Sequence, residues 1–387
     1  MKKLVIKNIG QILSGKLEEP IFDGDCIIAI DGKIMEWGAE KDLDCEGATT
    51  LVDAHGVTVM PGLIDSHIHP VIGDYTPRQQ QLNWIDSTLH GGVTTLISAG
   101  EVHMPGRPKD IVGLKAMAIA AQRWYENFRP SGVKVHAGAP VIEHGMVEQD
   151  FKDLAEAGVT LLGEVGLGTV KDGKTAQQMV GWARKYGIQS TIHTGGPSIP
   201  GSGLIDADMV IETGTDVIGH INGGHSALPD DQIICLCESC SSAFEIVHNG
   251  NERSAVLALN TARELGKLDQ IILGTDGPAG SGVQPLGIMR MVAMLSAFGN
   301  VPAEKAFCFG HGNTSRQRNL DTGLIEAGYA ADFVLLDKAQ HAPGKTMLES
   351  VQLGNLPGVG MTVIDGEVTS GRSRNTPPAD RLPEHIK

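Results

Sequence analysis

The stretch GLIDSHIHP, residues 62–70, ends an apolar run with two histidines, His67 and His69, separated by Ile68. Neutral imidazoles bind zinc and other divalent ions, which polarise carbonyl groups and activate water. In a β-strand residues i and i+2 share one face, so the two rings would point the same way while Ile68 points away. The spacing therefore predicts a metal site, although a single H-x-H is weak evidence.

Four further apolar runs also end in a nitrogen or carboxylate donor: Glu164 after TLLG, His193 after IQSTI, His220 after DVIG and Asp276 after IILGT. Each has an ordinary structural explanation. A histidine at a strand end is usually packed or hydrogen-bonded, Glu164 could be an ion-pair partner, and Asp276 before Gly-Pro could begin a turn. Together with the first two histidines they give six donors without a thiol, which favours Zn²⁺ or another first-row divalent ion.

The elements that must position these donors follow a regular order between residues 60 and 329. Eight short apolar runs alternate with helix-like segments such as TAQQMVGWARKYG and NERSAVLALNTARELG. Strand–helix alternation predicts a parallel sheet, and eight such units over about 270 residues match a (β/α)₈ TIM barrel. A doubly wound open sheet is the alternative, but no GxGxxG follows an early strand. The C-terminal ends of barrel strands form one rim, so the six donors are expected to converge there.

The two chain ends differ from the middle. LVIKNI, CIIAIDGKIMEWG and TLVDAHGVTVM near the N-terminus, and ADFVLLD and MTVIDGEVTSG near the C-terminus, are short β-type runs with Asp-Gly turn signals. Because chain termini often lie close together, residues 1–59 and 330–375 are predicted to form one small composite β-sandwich domain beside the barrel. The polar, Pro-rich residues 376–387 are predicted to be a tail.

The composition of this 387-residue chain limits the classes of molecule that it is expected to bind. Its formal net charge of −15 and the lack of a Lys/Arg-rich run make nucleic acid an unlikely partner and favour a small-molecule substrate. No stretch approaches the ~18 apolar residues of a membrane span, and MKKLVIKNIG is interrupted too early for a signal peptide. The six scattered cysteines fit reduced thiols, so a cytoplasmic location is expected.

Two longer motifs resemble the amidohydrolase superfamily. VMPGLIDSHIHP, residues 59–70, is similar to its H-x-H signature, and GLIEAGYAADFVLLD, residues 323–337, is similar to its C-terminal motif, preceded by HGNTSR. The resemblance implies a metal-binding TIM barrel with a composite β-domain and assigns the six donors as metal ligands. Many relatives carry a carboxylated lysine after strand four, where this chain has Glu164. Whether one or two ions are held stays open, although the full ligand set favours two.

The resemblance also bears on the reaction. Dihydroorotases carry an arginine where this chain has Val71, which counts against them. The chain most resembles the cyclic-amide hydrolases of anaerobic nicotinate breakdown. That likeness implies hydrolysis of the lactam 6-oxo-1,4,5,6-tetrahydronicotinate to 2-formylglutarate and ammonia, a Zn²⁺ and Fe²⁺ pair, and a homotetramer. Asp276 is the predicted catalytic residue, which takes a proton from the attacking water and delivers it to the leaving nitrogen.

Other functions remain open. A deaminase of an aminated heterocycle is one, but such relatives place a His-x-x-Glu near strand five, where this chain has HTGG, residues 193–196. A hydantoinase or an N-acyl amino acid deacetylase is another. A non-catalytic scaffold is disfavoured because such proteins typically lose metal ligands.

Loop residues near the expected rim give weaker candidates for substrate binding. Arg78 or His225 could bind a substrate carboxylate, and Asp65 could orient His67 from below. An exposed loop residue without function is the ordinary alternative for each candidate. The substrate-binding candidates are Tyr75, Arg78, Thr194, His225 and His248.

The segment DDQIICLCESC contains a C-x-C-x-x-C pattern, Cys235, Cys237 and Cys240. A metal or iron–sulfur site is the functional interpretation. The segment resembles a helix, on which Cys237 and Cys240 share a face and Cys235 does not. Three buried thiols are therefore expected instead.

Overall fold

The computed structural model describes residues 1–71, 78–101, 106–224, 226–278 and 282–387, with the side chains of residues 78–83 outside this description. The strands are β1 Lys3–Lys7, β2 Gln11–Leu13, β3 Ile21–Phe22, β4 Cys26–Ile30, β5 Lys33–Gly38, β6 Thr50–Asp53, β7 Thr58–Pro61, β8 Leu63–Ile68, β9 Val93–Ser98, β10 Lys134–His136, β11 Leu161–Val165, β12 Gln189–Ile192, β13 Val217–Ile218, β14 Ala243–Val247, β15 Ile271–Gly274, β16 Phe333–Asp337, β17 Gly358–Ile364, β18 Glu367–Ser370 and β19 Glu384–His385. The α-helices are α1 Arg78–Leu89, α2 Ile111–Asn127, α3 Glu148–Glu156, α4 Gly173–Lys185, α5 Ala207–Thr213, α6 Asp230–Ser239, α7 Glu252–Glu264, α8 Gly287–Gly299, α9 Ala303–Gly310, α10 Gly312–Gln317 and α11 Met347–Gln352.

Strands β8 to β15 form the predicted barrel. They pair in parallel and in chain order within two sheets, β10-β9-β8 and β11-β12-β13-β14-β15. The cylinder closes between β15 and β8, where the His69 N–H donates to Gly277 O at 2.9 Å and the Asp276 N–H donates to His67 O at 2.9 Å. On the other side the Glu164 N–H donates to Ala99 O at 2.8 Å, which joins β11 to the end of β9. The eight apolar runs therefore form the eight strands of the barrel, as predicted.

The helices that surround the barrel include the segments predicted from sequence. α2, α4 and α7 each begin after a residue whose side chain accepts a backbone N–H of the first turn, namely Asp110, Asp172 and Asn251. Their apolar faces pack on the outward-facing side chains of the strands, among them Ile68, Leu162 and Ile246. Since the helices cover the outer wall, side chains that are to bind a metal ion or a substrate are expected on the side of the strands that faces the barrel axis.

Both chain ends build a second domain of two sheets, with strand orders β19-β6-β1-β4-β5 and β18-β17-β16-β7-β2-β3. Apolar residues of the first sheet, such as Ile6 and Ile27, share one buried core with Val59 and Phe333 of the second. β7 pairs antiparallel with β16, so the N-terminal and C-terminal segments are joined directly. This is a β-sandwich composed of both ends, as the sequence predicts.

The Asp-Gly signals lie at hairpin turns. Asp31 and Gly32 connect β4 to β5 with φ of 47° and 80°, and Asp365 and Gly366 connect β17 to β18 with φ of 49° and 75°. Two successive positive φ angles are typical of tight hairpin turns, which accept Asp or Asn followed by Gly.

The final residues, 376–387, lie along the sandwich. Glu384 and His385 pair antiparallel with Asp53 and Val52 of β6, and the Ile386 N–H donates to Leu51 O at 2.8 Å. The segment predicted as a tail therefore contributes an edge strand, because β6 offers unpaired backbone groups there.

Within the described ranges, no helix has the length and apolar character needed to span a membrane.

Candidate metal centre

The six predicted ligands meet at the C-terminal rim of the barrel. Ile68, between His67 and His69, packs into the helix layer, as alternation along β8 requires. The other four donors lie at or just beyond the ends of β11, β12, β13 and β15. The distances between neighbouring donor atoms run from 2.7 Å, between His220 Nε2 and Glu164 Oε1, to 3.8 Å, between His67 Nε2 and Glu164 Oε1. The side chain of Asp276 is 14% exposed and the other five are 0–4% exposed, so Asp276 lies nearest to the open mouth.

Glu164 lies between the other donors. Its Oε1 is 2.7 Å from His220 Nε2 and 3.0 Å from His193 Nδ1, whereas its Oε2 is 3.6 Å from His69 Nε2. Asp276 Oδ1 lies 3.2 Å from His69 Nε2. Oε1 of Glu164 thus faces His193, His220 and, at 3.8 Å, His67, whereas Oε2 faces His69, as the two oxygens of a carboxylate shared by two ions would.

Two triads have donor atoms that all lie within 4.8 Å of one another: His67 with Glu164 and His220, and His67 with His69 and Asp276. A single ion could contact either triad. The triads share His67 and together take in five of the six predicted ligands. His193 adds the sixth through its contacts with Glu164 and His220.

The second ring nitrogen of each histidine decides which nitrogen faces the centre. His69 Nδ1 lies 2.8 Å from Gly100 O, and His193 Nε2 lies 2.9 Å from Gly196 O; each must donate because a carbonyl oxygen only accepts. His67 Nδ1 lies 2.5 Å from the carboxylate of Glu245. His220 Nδ1 lies 3.4 Å from Thr194 Oγ1, whose hydrogen is directed to the Gly219 and His220 carbonyls. Lone pairs on His67, His69 and His220 Nε2 and on His193 Nδ1 thus point inward.

A cation fits this arrangement. Inward lone pairs and two carboxylates would repel one another at these distances, and His67 Nε2 is buried without a hydrogen-bond partner in the described structure. Burial is the largest single effect and acts to lower the pKa of His67, but the charge and hydrogen bond of Glu245 together with the charges of Glu164 and Asp276 outweigh it, so the pKa is raised. The cluster therefore favours positive charge, and its nitrogen and oxygen donors suit first-row divalent ions.

The two carboxylates are held ionised for the same reason. Burial acts to raise the pKa of Glu164, but the charges and hydrogen bonds of His193 and His220 keep that pKa well below its usual range. For Asp276 burial is likewise outweighed by the hydrogen bond with His69 and by the nearby imidazoles, so its pKa is lowered. Both groups are thus available as anionic ligands.

A buried network behind His67 was missed in the sequence. Glu245 of β14 accepts from Ser66 Oγ at 2.5 Å and from Arg318 Nη2 at 3.1 Å, besides contacting the His67 ring. Arg318 also donates to Ser66 Oγ at 2.9 Å and to Thr191 Oγ1 at 3.1 Å. The Glu245 carboxylate and the Arg318 guanidinium are both fully buried. The signal in the sequence was a glutamate inside the apolar run AFEIV, since such a charge is rarely buried without a partner.

Replacement of Glu245 by glutamine is expected to weaken metal binding by about 10- to 100-fold, because the amide keeps the shape but loses the charge that orients His67 and pairs with Arg318. A chelator competition with zinc measures this. Asp332→Asn is the matched control: Asp332 is also buried, and it accepts from Lys134 Nζ at 2.7 Å at the opposite end of the barrel. Equal affinity for Glu245→Gln and the unmodified chain would contradict the expectation.

Asp65 contacts His67 through the backbone. Its Oδ1 accepts from the His67 N–H at 3.2 Å and from the Thr275 N–H at 2.8 Å, and its Oδ2 accepts from Thr275 Oγ1 at 2.6 Å. Burial raises its pKa to about 7, with the hydrogen bonds opposing the rise. Asp65 therefore ties β8 to the end of β15, next to Asp276.

The candidates for substrate binding separate into two groups. Tyr75 and His225 lie outside the described residues, as does the side chain of Arg78. Thr194 is buried with its hydroxyl engaged by the carbonyls of Gly219 and His220, so it supports a ligand instead of facing a substrate.

His248 directly follows β14. Its side chain lines a cavity of about 240 Å³ on the helix side, with Glu252, Arg290, Met294 and Phe298. Burial lowers its pKa. Its role as a substrate-binding residue therefore stays a prediction.

The C-x-C-x-x-C segment is the helix α6 with Cys240 as its C-cap. Cys237 is buried, and burial raises its pKa to about 12, whereas Cys235 and Cys240 are half-buried. Only one of the three thiols is therefore buried as expected.

Comparison with known proteins gives a consistent result. The Amidohydrolase family matches residues 58–369. Over 381 residues the chain is 44% identical to the enamidase of Eubacterium barkeri, covering 98% of this chain and 99% of that protein. The crystal structure of enamidase superposes with a TM-score of 0.96 at 43% identity, covering both chains in full. A putative prolidase from Bifidobacterium longum shares the fold, with a TM-score of 0.66 at 16% identity over 97% and 96% of the two chains.

Proposed function

This chain belongs to the amidohydrolase family, and from that membership we propose that it hydrolyses the C–N bond of a cyclic amide. The proposed substrate is 6-oxo-1,4,5,6-tetrahydronicotinate, opened and deaminated to 2-formylglutarate and ammonia during nicotinate catabolism. The observation that carries the proposal is the similarity to enamidase along the whole chain, joined to a complete set of six inward donors.

We propose that the six donors hold two divalent ions, with Glu164 between them. Divalent ions bound there would supply Lewis acidity toward the lactam carbonyl and lower the pKa of water from ~15.7 toward ~7. The division of Glu164 between His69 on one side and His193 and His220 on the other supports two ions over one. This disfavours a deaminase that uses a single ion.

Asp276 is the proposed proton carrier. Its φ of 59° is left-handed, a conformation that Asp tolerates better than most residues, and its backbone is held by His67 O at 2.9 Å and by Asn249 Nδ2 at 2.7 Å. This aims the carboxylate at the centre from the open side. A carboxylate in that place can take a proton from the attacking water and return it to the ring nitrogen, which is otherwise a very poor leaving group.

The reaction balances with two water molecules. The first adds to the lactam carbonyl, and the C–N bond breaks as the nitrogen receives the proton from Asp276. Because the nitrogen is vinylic, the freed enamine tautomerises to an imine. The second water converts the imine to the aldehyde of 2-formylglutarate and releases ammonia.

A screen of six-membered lactams, hydantoins, N-acyl amino acids and aminated heterocycles, with ammonia release measured, tests this function. Ammonia from a lactam with a vinylic ring nitrogen, and none from its saturated analogue, is the expected result. Turnover of only an aminated heterocycle would replace the proposal with a deaminase. If a chain that carries two metal ions turns over none of these compounds, the proposed hydrolase function is contradicted.

We also propose a zinc and iron pair, a homotetramer and a cytoplasmic location, which rest on family resemblance alone. Elemental analysis of the purified chain tests the metals, and light scattering on a size-exclusion column tests the assembly. A content of two zinc ions per chain would contradict the proposed zinc–iron pair, and a monomer in solution would contradict the proposed homotetramer.

Gly224 lies beside the proposed proton carrier. Among the residues that the structure describes, a Cβ built at this glycine meets Asp276 Oδ2 alone, at 3.5 Å, so we expect alanine to fit the fold but to crowd the reacting side of the site. We expect Gly224→Ala to lower kcat/KM by about 10- to 100-fold without loss of metal. Gly181→Ala in α4 is the control, since its Cβ meets nothing within 4 Å. Unchanged kinetics in Gly224→Ala would place the substrate elsewhere.

A further inference from the structure

Two thiols approach each other in the β-sandwich, away from the metal centre. Cys26 Sγ and Cys45 Sγ are 3.7 Å apart. Cys26 begins β4 and is fully buried, whereas Cys45 is half-buried in the connection between β5 and β6. They pack in one small apolar cluster with Val5, Ile28 and Leu51.

The connection that carries Cys45 is fixed on both sides of the thiol. Lys3 Nζ donates to Asp44 O at 2.7 Å and to Glu46 O at 2.8 Å, the carbonyls immediately before and after Cys45. Earlier in the same connection the Glu40 N–H donates to Asp25 Oδ1 at 2.7 Å, next to Cys26 in sequence. The two sulfur atoms are therefore brought together by contacts that do not involve the thiols.

We propose that Cys26 and Cys45 are a site of reversible oxidation, at which a small-molecule disulfide such as oxidised glutathione converts the two thiols to an intramolecular disulfide. A disulfide needs the sulfurs at about 2.05 Å, so they must approach further. Because Cys45 is half-buried and lies in the connection outside the strands, we expect its side chain, and not that of Cys26 in β4, to make this movement. The bond would lock the connection between β5 and β6 onto the sheet.

The order of attack follows from exposure. The more exposed Cys45 attacks the small disulfide as a thiolate, forming a mixed disulfide and releasing one thiolate of glutathione. Cys26 loses its proton and attacks Cys45 Sγ, which releases the second glutathione. Two protein thiols are oxidised and one glutathione disulfide is reduced to two thiols. Burial, followed by the contact with Cys45, raises the pKa of Cys26, so Cys26 keeps its proton and is not the thiol that attacks the small disulfide first.

The pair differs from the other cysteines. The hydrogen bonds of the Cys235, Cys237 and Cys308 sulfurs join them to oxygen atoms of Ser239, Ala258 and Glu304 and not to a second thiol. Oxidation by glutathione disulfide should therefore select Cys26 and Cys45.

Peptide mapping of the metal-loaded protein tests the proposal after incubation with oxidised glutathione and alkylation of the remaining thiols. Lys33 and Lys41 separate the two cysteines into different tryptic peptides, so a linked pair of peptides that dithiothreitol separates is diagnostic. The expected result is this link, loss of two of the six thiols and a rise in Tm of about 5 °C that dithiothreitol reverses.

Two variants sharpen the test. Cys45→Ser should abolish both the link and the rise in Tm, and Cys235→Ser should keep both. The proposal is overturned if the unmodified protein forms no link between Cys26 and Cys45, if only a glutathione adduct accumulates on Cys45, or if the link joins Cys237 and Cys240 instead.

Discussion

Replacing Asp276 by asparagine is expected to lower kcat by about 100- to 10,000-fold, the range of general acid–base catalysis, while the metal content stays near that of the unmodified chain. Asparagine keeps the size of the side chain and one oxygen toward His69, which lies 3.2 Å from Asp276 Oδ1. It cannot carry a proton between water and the leaving nitrogen. Steady-state kinetics and elemental analysis on the same preparation separate the two effects.

Asp230→Asn is a suitable control for the Asp276 variant. Asp230 is exposed on α6 and pairs with Arg253, at 2.5 Å between Oδ2 and Nη2, so its loss should leave turnover unchanged. Full activity in Asp276→Asn would remove this residue from the mechanism. Loss of activity together with loss of metal would assign it a role as ligand only.

Replacing Glu164 by glutamine is expected to reduce the metal content from about two ions per chain to one or fewer. Metal affinity should fall by more than about 100-fold, which exceeds the loss of about 10- to 100-fold typical of removing a residue that contacts only a ligand and not the metal. Glutamine offers one carbonyl oxygen, so it can face either His69 or the pair His193 and His220, but not both. Its amide hydrogens would not serve as ligands at the other position. Elemental analysis after dialysis measures the stoichiometry.

Glu143→Gln is the matched control for the Glu164 variant. Glu143 is also a buried glutamate at this rim, in the loop after β10, but it accepts from Arg107 Nη1 at 3.2 Å and from the Thr169 N–H at 2.7 Å. It should keep both ions. Unchanged stoichiometry in Glu164→Gln would show that this carboxylate does not join two ions.

The Glu245–Arg318 pair gives the metal centre a charged support inside the barrel. A buried ion pair is costly to desolvate, and breaking one by removal of a partner typically costs about 3–5 kcal/mol. Here the pair is in direct contact with the His67 ring, at 2.5 Å between Glu245 Oε2 and Nδ1. The unfavourable desolvation of this ion pair therefore occurs at the position where Glu245 can orient His67, a proposed metal ligand.

The sequence alone determined the fold class and the set of six donors. Eight apolar runs predict eight barrel strands because buried parallel strands need apolar residues on both faces. Asp31-Gly32 and Asp365-Gly366 predict hairpins because tight turns need positive φ angles. The alternation of side chains along a strand was enough to place His67 and His69 on one face. These properties depend on neighbours in the chain, which the sequence displays directly.

Only the tertiary structure decided which atoms meet. Glu245 reaches His67, and Arg318 reaches Glu245, across 178 and 73 residues of chain. The inward ring nitrogens depend on carbonyls such as Gly100 O and Gly196 O, and the cavity beside His248 depends on the packing of α7 and α8. The proximity of Cys26 to Cys45 likewise depends on how Lys3 holds the intervening connection. Such contacts arise from the closure of the barrel and the packing of the sheets, so no local pattern in the sequence records them.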